Sequence, residues 1–230
     1  MSSPVSRPRA ALSSARVVET AIDLADDARE PPTMRRLAES LEVTPMALYK
    51  HLANREQLID AMVDRVVADI PPPSEADGWR PVLRSRILSA RGVMRRHAWA
   101  QAAIESRTAA SPVVLAYMDG LMAIMFSGGL SADLVHHAMH ALSTRMWGFT
   151  RDVLPMPPTP DDPAERARAL AAFAERYPAI IRMATTAPHA DAGCDADAEF
   201  AFALDLILDG IERLHESGWA STRGASQPIA

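Results

Sequence analysis

Residues 33–60 constrain the fold of this chain more than any other part, because residues that start helices recur there at short intervals. Thr33 can cap a helix whose apolar residues have helical spacing: Met34, Leu37, Ala38 and Leu41. Thr44-Pro45 is a second cap, with proline at the first helical position, where its missing N–H costs nothing. Asn54 is a third cap, and the helix after it continues to the proline run 71–73. This spacing predicts two short helices joined by a tight turn and then a longer helix, a layout typical of helix-turn-helix DNA readers.

The second short helix is predicted to face a partner. It begins at Pro45, and only Leu48, with Leu52 beyond it, is well placed to anchor it to the apolar stripe behind. The remaining side chains are free to face DNA, and they are Met46, Ala47, Tyr49 and Lys50.

These segments resemble the DNA-binding domain of the TetR family of transcriptional repressors, and the resemblance extends from Arg16 through Ile70. It is carried by three motifs: Thr-x-Arg-x-Leu-Ala at 33–38, Leu-Tyr-x-His at 48–51, and Asn-basic-x-x-Leu at 54–58. Two positions depart from the family, because glycine is usual where this chain has Glu42 and, approximately, Arg29. A non-glycine residue with a positive φ costs about 1 kcal/mol, which a packed domain can absorb.

The resemblance implies a set of DNA contacts, because in the TetR family the third helix enters the major groove. Arg35 falls where a base-contacting arginine is found, and its planar fork suits guanine O6 and N7. The leading end of the reading helix can contact thymine methyl groups, and the residues behind it are placed for phosphate oxygens, which fix register without reading sequence. The complete expected set is Thr33, Arg35, Thr44, Pro45, Met46, Ala47, Tyr49, Lys50, His51 and Arg55. For Tyr49 and His51, packing between helices is the alternative.

The charge of the chain does not by itself point to nucleic acid. The formal net charge is −5, and residues 1–58 hold eight Arg/Lys and eight Asp/Glu, whereas a generic nucleic-acid binder is basic. Only a local basic patch can therefore bind phosphate. Arg7 and Arg9 precede the first helix, where they belong either to an arm in the minor groove or to a disordered tail.

Beyond the proline run the sequence predicts helices only, over residues 79–96, 99–107, 112–127, 132–153, 163–177, 179–186 and 196–217. The expected fold class is all-α, with an N-terminal three-helix helix-turn-helix domain and a larger helical ligand-binding and dimerisation domain. Prolines make residues 154–163 an expected surface loop. The expected organisation is a flexible tail (1–13), a DNA-binding domain (14–70), an effector-binding and dimerisation domain (71–220) and a second flexible tail (221–230).

Several protein classes are not expected from this sequence. It contains no nucleophile elbow, phosphate loop, dinucleotide fingerprint or His-Glu-x-x-His motif, so we expect neither an enzyme nor a cofactor. The longest nearly apolar run, 113–126, is 14 residues long, contains Asp119 and is too short to span a bilayer. The N-terminus has no apolar segment of a secretory signal, and the single cysteine, Cys194, excludes an internal disulfide framework. A cytoplasmic protein without membrane contact is expected.

Two predicted helices are apolar on more than one face, which a helix lying on a single core does not need. In the last helix one stripe includes Phe200 and Leu204, and another includes Phe202 and Leu206; the helix from Ala132 has a similar pattern. This part resembles, more loosely, the C-terminal domain of the Tet repressor branch, in which two such helices per subunit form a four-helix dimer interface. A homodimer would place its reading helices about 34 to 36 Å apart on double-stranded DNA and require a palindromic operator.

Family members usually enclose a small-molecule effector between the DNA-binding domain and the dimer interface. The candidates for binding it are Trp99, Gln101, Tyr117, Met118, Met122, Phe126, His140 and Trp147, a set that suits an apolar or amphipathic molecule. Plain core packing is the alternative for each of them. The histidines that bind the drug and its magnesium in the tetracycline-responsive proteins have no evident counterpart, so a tetracycline sensor is not expected.

His136 and His140 are one helical turn apart and could share a metal ion with His137 or His97. Without a nearby Glu or Cys the spacing favours pocket or interface packing instead, and no metal is expected. The sequence therefore indicates a repressor that a small apolar or amphipathic effector releases from its operator. The alternative is a dimeric DNA-binding or adaptor protein that a protein partner controls without any small-molecule ligand.

Overall fold

The computed structural model of the chain describes residues 12–107, 109–149, 160–186 and 195–221, and every regular element within these ranges is helical. The predicted all-α fold is confirmed. The helices are α1 (Ser14–Ala28), α2 (Met34–Leu41), α3 (Pro45–Leu48), α4 (Arg55–Ala68), α5 (Trp79–Met94), α6 (Ala100–Glu105), α7 (Pro112–Ser127), α8 (Ala132–Leu142), α9 (Pro163–Arg176), α10 (Pro178–Thr186) and α11 (Ala196–Glu216), with a 3-10 helix at Ser143–Trp147. In the described parts of the chain no helix combines the length and the hydropathy that a membrane crossing requires.

Side-chain caps start the helices of the N-terminal segment where the sequence predicts. The Thr33 hydroxyl accepts a hydrogen bond from the Arg36 amide at 3.2 Å, and the Asn54 side chain accepts one from the Gln57 amide at 2.8 Å. Thr44 occupies the predicted cap position of α3, but its side chain makes no capping hydrogen bond. Proline at the first position of α3 removes one of the amides that would need a partner.

Helix α3 is shorter than the sequence predicts, because it ends at Leu48. In the turn that follows, the Leu48 carbonyl accepts hydrogen bonds from the amides of both His51 and Leu52, at 2.9 and 3.1 Å. This turn brings Leu52 into the core beside Leu48, and both side chains are buried. Tyr49 and Lys50 therefore lie in the turn that follows the helix.

The two positions where the TetR pattern has glycine both have left-handed backbone. Arg29 follows α1 with φ 59°, and Glu42 follows α2 with φ 54°. The Glu42 and Val43 amides donate to the Glu39 and Ala38 carbonyls at 3.1 and 3.0 Å, which ends α2 and starts the turn. The chain therefore adopts the turn geometry without the residue that favours it.

Helix α4 joins the N-terminal helices to the rest of their compact unit, which comprises the described residues up to Phe149 and from Ile207 onward. It contacts α1 on one side and α5, α6 and α7 on the other. The predicted domain boundary after residue 70 lies inside this unit and stays a prediction.

The prediction of a helix over 132–153 is wrong for the second half of that range, because α8 ends at Leu142. Ser143 has φ 33° and ψ −117°, and the chain then forms the 3-10 helix that packs on α5. Two hydrogen bonds hold this segment: the Tyr117 hydroxyl donates to the Met146 carbonyl at 2.5 Å, and Arg91 Nη1 donates to the Gly148 carbonyl at 2.8 Å. Packing on α5 and α7 thus overrides the helical periodicity.

The second compact unit covers Thr150–Leu206, and within it the structure describes α9, α10 and the first half of α11. Asp162 caps α9 by accepting from the Ala164 and Glu165 amides at 2.6 and 3.1 Å. Helix α9 contacts α10 but buries none of its residues. Most of the expected tails at 1–13 and 221–230 lies outside the described residues, namely residues 1–11 and 222–230. So do most of the loop at 154–163 and the residues Arg7, Arg9 and Cys194.

Candidate DNA-reading face and effector cavity

The start of α3 is presented to solvent by the residues that anchor it. Leu48 is fully buried, whereas the Met46 side chain is 72% exposed and Tyr49 is 45% exposed. Thr44, Pro45 and Lys50 are exposed, and Ala47 and His51 are half-buried. The exposed residues are those expected to contact DNA, so α3 and the turn after it leave a surface open to a partner.

Arg35 lies on the exposed side of α2, and 85% of its side chain is accessible. Its Nε donates to Glu39 Oε1 at 2.9 Å, one helical turn later, and this hydrogen bond raises the pKa of Arg35. The pair uses one of the five guanidinium N–H donors. The two terminal nitrogens can therefore still donate two parallel hydrogen bonds to an acceptor such as guanine.

Two of the expected contact residues also hold the local structure. Thr33 uses its hydroxyl as the cap of α2, and Arg55 donates from Nη2 to the Pro31 carbonyl at 3.1 Å and from Nε to the Pro32 carbonyl at 3.4 Å. Arg55 therefore ties the start of α4 to the loop before α2. Its exposed position leaves further N–H donors accessible.

A cavity of about 570 Å³ lies among α6, α7, α8 and the 3-10 segment. Its volume is within the range of small-molecule sites. Its walls are mainly methionine, aromatic and aliphatic, and the lining residues are Ile104, Glu105, Met118, Met122, Phe126, Ala132, Val135, His136, Met139, His140, Ser143, Met146, Trp147 and Phe149.

Five of the expected effector residues line this cavity: Met118, Met122, Phe126, His140 and Trp147. Trp99, Gln101 and Tyr117 do not. The Trp99 indole is buried and donates to Asp26 Oδ1 on α1 at 2.8 Å, and Gln101 donates to Glu105 at 3.1 Å.

Tyr117 lies behind the cavity wall, where its ring stacks on Trp147 with centroids 4.9 Å apart. Its hydroxyl donates to the Met146 carbonyl, and burial raises the pKa of Tyr117. Tyr117 thus orients the wall residue Trp147 while having no surface in the cavity.

The other lining residues were not predicted as effector contacts, and most of them lie on α8 or just after it. Ala132, Val135, His136, Met139 and Ser143 follow one another at helical spacing beside His140. This periodicity is the sequence signal that could have identified the lining, but apolar residues on two faces of one helix also fit core and dimer packing.

The polar groups of the cavity are Glu105, His136, His140 and Ser143. The imidazoles of His136 and His140 meet edge to face, with centroids 4.7 Å apart. His137 takes no part in the lining: its Nε2 is 3.6 Å from Asp133 Oδ1, and its ring meets the edge of Trp219. Across the described ranges, no group of three or more His, Cys, Asp or Glu side chains is arranged to hold a metal ion.

Two polar links connect the cavity region to α4. Arg107, just after α6, forms ion pairs from Nε to Asp60 at 3.1 Å and from Nη1 to Asp64 at 3.5 Å. Arg86 lies over the Tyr117 ring at 5.1 Å and donates from Nη1 to the Ile70 carbonyl at 3.1 Å; desolvation lowers its pKa. These contacts join the helices around the cavity to the region of α4, which also contacts α1.

Comparison with known proteins agrees with these features. The family model described as tetracyclin repressor-like, C-terminal domain, matches residues 71–215, more than half of the chain. The HTH-type transcriptional repressor DrrR1 of Streptomyces coeruleorubidus is 29% identical over 233 residues, covering 98% of this chain and 85% of the relative.

Solved structures give the same result for the fold. A possible TetR family transcriptional regulator from Streptomyces coelicolor A3(2) has a TM-score of 0.67 at 28% identity, covering 88% of this chain and all of that one (100%). The TetR family protein ActR of Streptomyces coelicolor, in complex with actinorhodin, has a TM-score of 0.66 at 24% identity, with 91% and 100% covered.

Proposed function

Because this chain belongs to the TetR family of transcriptional regulators, we propose that it is a dimeric repressor that a small apolar or amphipathic molecule releases from a palindromic operator. The observation that carries the proposal is the exposed start of α3, held by buried Leu48 and preceded by a capped α2. The relative DrrR1, named as a transcriptional repressor, supports the direction of regulation.

The DNA-reading role rests on the residues that α2 and α3 leave accessible. Arg35 would read a base edge in the major groove, and Thr44, Pro45, Met46 and Ala47 would contact bases through van der Waals packing. Lys50 and Tyr49 would bind phosphates, with Thr33, His51 and Arg55 at the edge of the contact. The net charge of −5 makes this local set the source of affinity, because the molecule as a whole repels DNA.

The effector role rests on the cavity of about 570 Å³ and its apolar walls. A similarly folded protein, ActR, holds actinorhodin in a solved structure, which supports a small-molecule site in this fold. The effector would contact Met118, Met122, Phe126, His140 and Trp147 directly, and Tyr117 would act by positioning Trp147.

The dimer is supported by apolar side chains that α11 leaves exposed. Phe202 is 62% exposed and Leu206 is 56% exposed, while Phe200, Leu204 and Leu208 on another face of the same helix are buried. Large apolar side chains clustered on a surface mark interaction sites. A second copy of the chain would cover them and set the distance between the two reading helices.

Release from DNA would follow from the links between the cavity and α4. An effector that favours one arrangement of α6 and the 3-10 segment changes the contacts of Arg107 and Arg86, and with them the position of α4. Binding need only be stronger in the conformer whose two reading heads no longer fit both half-sites.

The competing hypothesis is an adaptor that uses α11 to bind another protein and has no small-molecule effector. The exposed face of α11 is compatible with both hypotheses, whereas a cavity with apolar walls favours the ligand-responsive repressor. We expect no catalysis and a cytoplasmic location, in keeping with a DNA-binding regulator.

Selection of bound sequences from a random double-stranded DNA library, with the purified full chain at physiological salt, tests the proposal. Enrichment of one palindrome with half-sites about one helical turn apart is the expected result. Enrichment of a single non-palindromic site would contradict the dimeric reading mode. Failure to enrich any sequence would reject direct DNA reading by the free protein and favour the adaptor.

A further inference from the structure

One part of the cavity wall is apolar and another part is polar, and this arrangement limits the class of molecule that can bind there. Its apolar side chains include four methionines, Met118, Met122, Met139 and Met146, together with the rings of Phe126, Trp147 and Phe149. Thioethers and aromatic rings make favourable contacts with aromatic faces and edges, and methionine adapts its shape to a rigid planar molecule. Such walls fit a fused aromatic ring system.

The polar side of the cavity is formed by His136 and His140, which are one turn apart on α8 with ring centroids 4.7 Å apart. A neutral imidazole has one donor and one acceptor nitrogen. Glu105, which also lines the cavity, offers acceptors only, and its carboxylate repels an anion. The partner that best matches this set is a group that both donates and accepts hydrogen bonds and has no full negative charge.

We propose that the effector is an aromatic molecule with a hydroxyl group on its ring, and that His136 and His140 bind this hydroxyl. The inference rests on the proposed function and names the ligand class of the same cavity. A phenolic hydroxyl donates to one imidazole nitrogen or to Glu105 and accepts from an imidazole N–H. A carboxylate can only accept, and an unsubstituted hydrocarbon leaves both imidazoles unused.

His137 supplies a matched control on the same helix. It lies between the other two in sequence, but its Nε2 is near Asp133 and its ring meets Trp219, away from the cavity lining. All three histidines are exposed, so replacing any of them leaves the buried core of α8, such as Leu134 and Ala138, unchanged.

The probes that separate the possible ligand classes are pyrene, 1-hydroxypyrene and 1-pyrenecarboxylate, which share one ring system and differ in a single substituent. Fluorescence titration of the full chain at pH 7.5 should give the tightest binding for 1-hydroxypyrene. Its affinity should exceed those of the other two by about 25-fold, the magnitude of two net hydrogen bonds.

The variants His136→Phe and His140→Phe should each weaken the binding of 1-hydroxypyrene by about fivefold, because each removes one of the two hydrogen bonds to the hydroxyl. The affinity for pyrene itself should change little. His137→Phe should leave all three affinities unchanged. Circular dichroism melting of each variant checks that the fold is retained.

Four results would overturn the proposal: pyrene binding as tightly as 1-hydroxypyrene, tighter binding of 1-pyrenecarboxylate, no saturable binding of 1-hydroxypyrene, or equal weakening by His137→Phe. These results are independent of the operator selection. An enriched palindrome with no preference for the hydroxyl probe would reject only the ligand class. A clear preference with no enriched sequence would reject the regulator and keep the ligand class.

Discussion

Gly148 lies so close to α5 that a residue with a side chain would not fit at this position. A Cβ at this position would approach the Arg91 Cα to 2.2 Å, and the residue has φ 79°. The close approach lets the Gly148 carbonyl accept from the buried Arg91 guanidinium at 2.8 Å. One residue without a side chain thus fixes the 3-10 segment that forms part of the cavity wall.

Gly148→Ala should destabilise the protein by about 2–4 kcal/mol, because it combines a strained positive φ with a backbone clash. The melting temperature should fall by about 2–4 °C for each kcal/mol. Gly92→Ala is the control, since Gly92 lies in α5 with open space where a Cβ would be, and alanine there should stabilise the protein by up to about 1 kcal/mol. Equal effects of the two changes would contradict the packing described here.

Arg35 and Lys50 are both exposed and are expected to play different parts on DNA. Arg35→Ala should cost about 1–3 kcal/mol on the selected operator and relax base preference at one position of each half-site. Lys50→Ala should weaken all sequences alike and lower the dependence of log K on log salt by about one. Fluorescence anisotropy titrations on operator and scrambled DNA at several salt concentrations measure both effects. If both variants bind like the parent, α2 and α3 do not dock as proposed.

At the scale of elements, α1 is fastened to the turn between α5 and α6 by one carboxylate. Asp26 accepts from the buried Trp99 indole at 2.8 Å and lies 2.9 Å from His97 Nδ1. The N-terminal helices are therefore joined to the cavity-bearing helices through this contact as well as through α4. Trp99, which was predicted to contact the effector, instead binds Asp26 and so connects α1 to the start of α6.

Asp26→Ala should lower stability by about 1–3 kcal/mol, because it leaves the buried Trp99 N–H without its acceptor. The melting temperature should fall by about 2–4 °C per kcal/mol. The neighbouring Asp27 is exposed on α1, so Asp27→Ala should shift the melting temperature by less than about 1 °C. Equal melting temperatures of the two variants would show that the contact of Asp26 with Trp99 does not stabilise the protein.

At the scale of the whole molecule, the exposed apolar face of α11 is a feature that a single chain does not explain. Phe202 and Leu206 are accessible although large apolar residues elsewhere on the helix are buried. A regulator that reads a palindrome needs two copies, and each copy alone would hold only one half-site. The oligomeric state and the DNA affinity are therefore expected to change together.

Phe202→Glu with Leu206→Glu should convert the dimer to a monomer, because both charges would be buried in the interface. Met46→Glu is the control: Met46 is 72% exposed on α3, so the charge should leave the dimer intact and abolish DNA binding through repulsion of phosphate. Sedimentation equilibrium measures the first effect and anisotropy the second. A double variant that stays dimeric would show that another surface joins the subunits.

Local sequence determined the start of the reading helices and their exposed face. Thr33, Pro45 and Asn54 mark helix starts through interactions with their immediate neighbours, and the buried Leu48 leaves Met46 exposed by helical geometry. These features depend on contacts within a few residues, so periodicity and capping rules were sufficient to predict them.

Tertiary packing decided the shape of the cavity. Nothing in the periodicity of residues 132–153 indicated that α8 would end at Leu142, because the turn depends on Tyr117 and Arg91 holding the carbonyls of Met146 and Gly148. The same packing places Tyr117 behind the wall and brings His136 into the lining beside His140. Sequence alone determined which residues are apolar and where most of the helices begin, whereas the long-range contacts determined where α8 ends and which residues face the cavity.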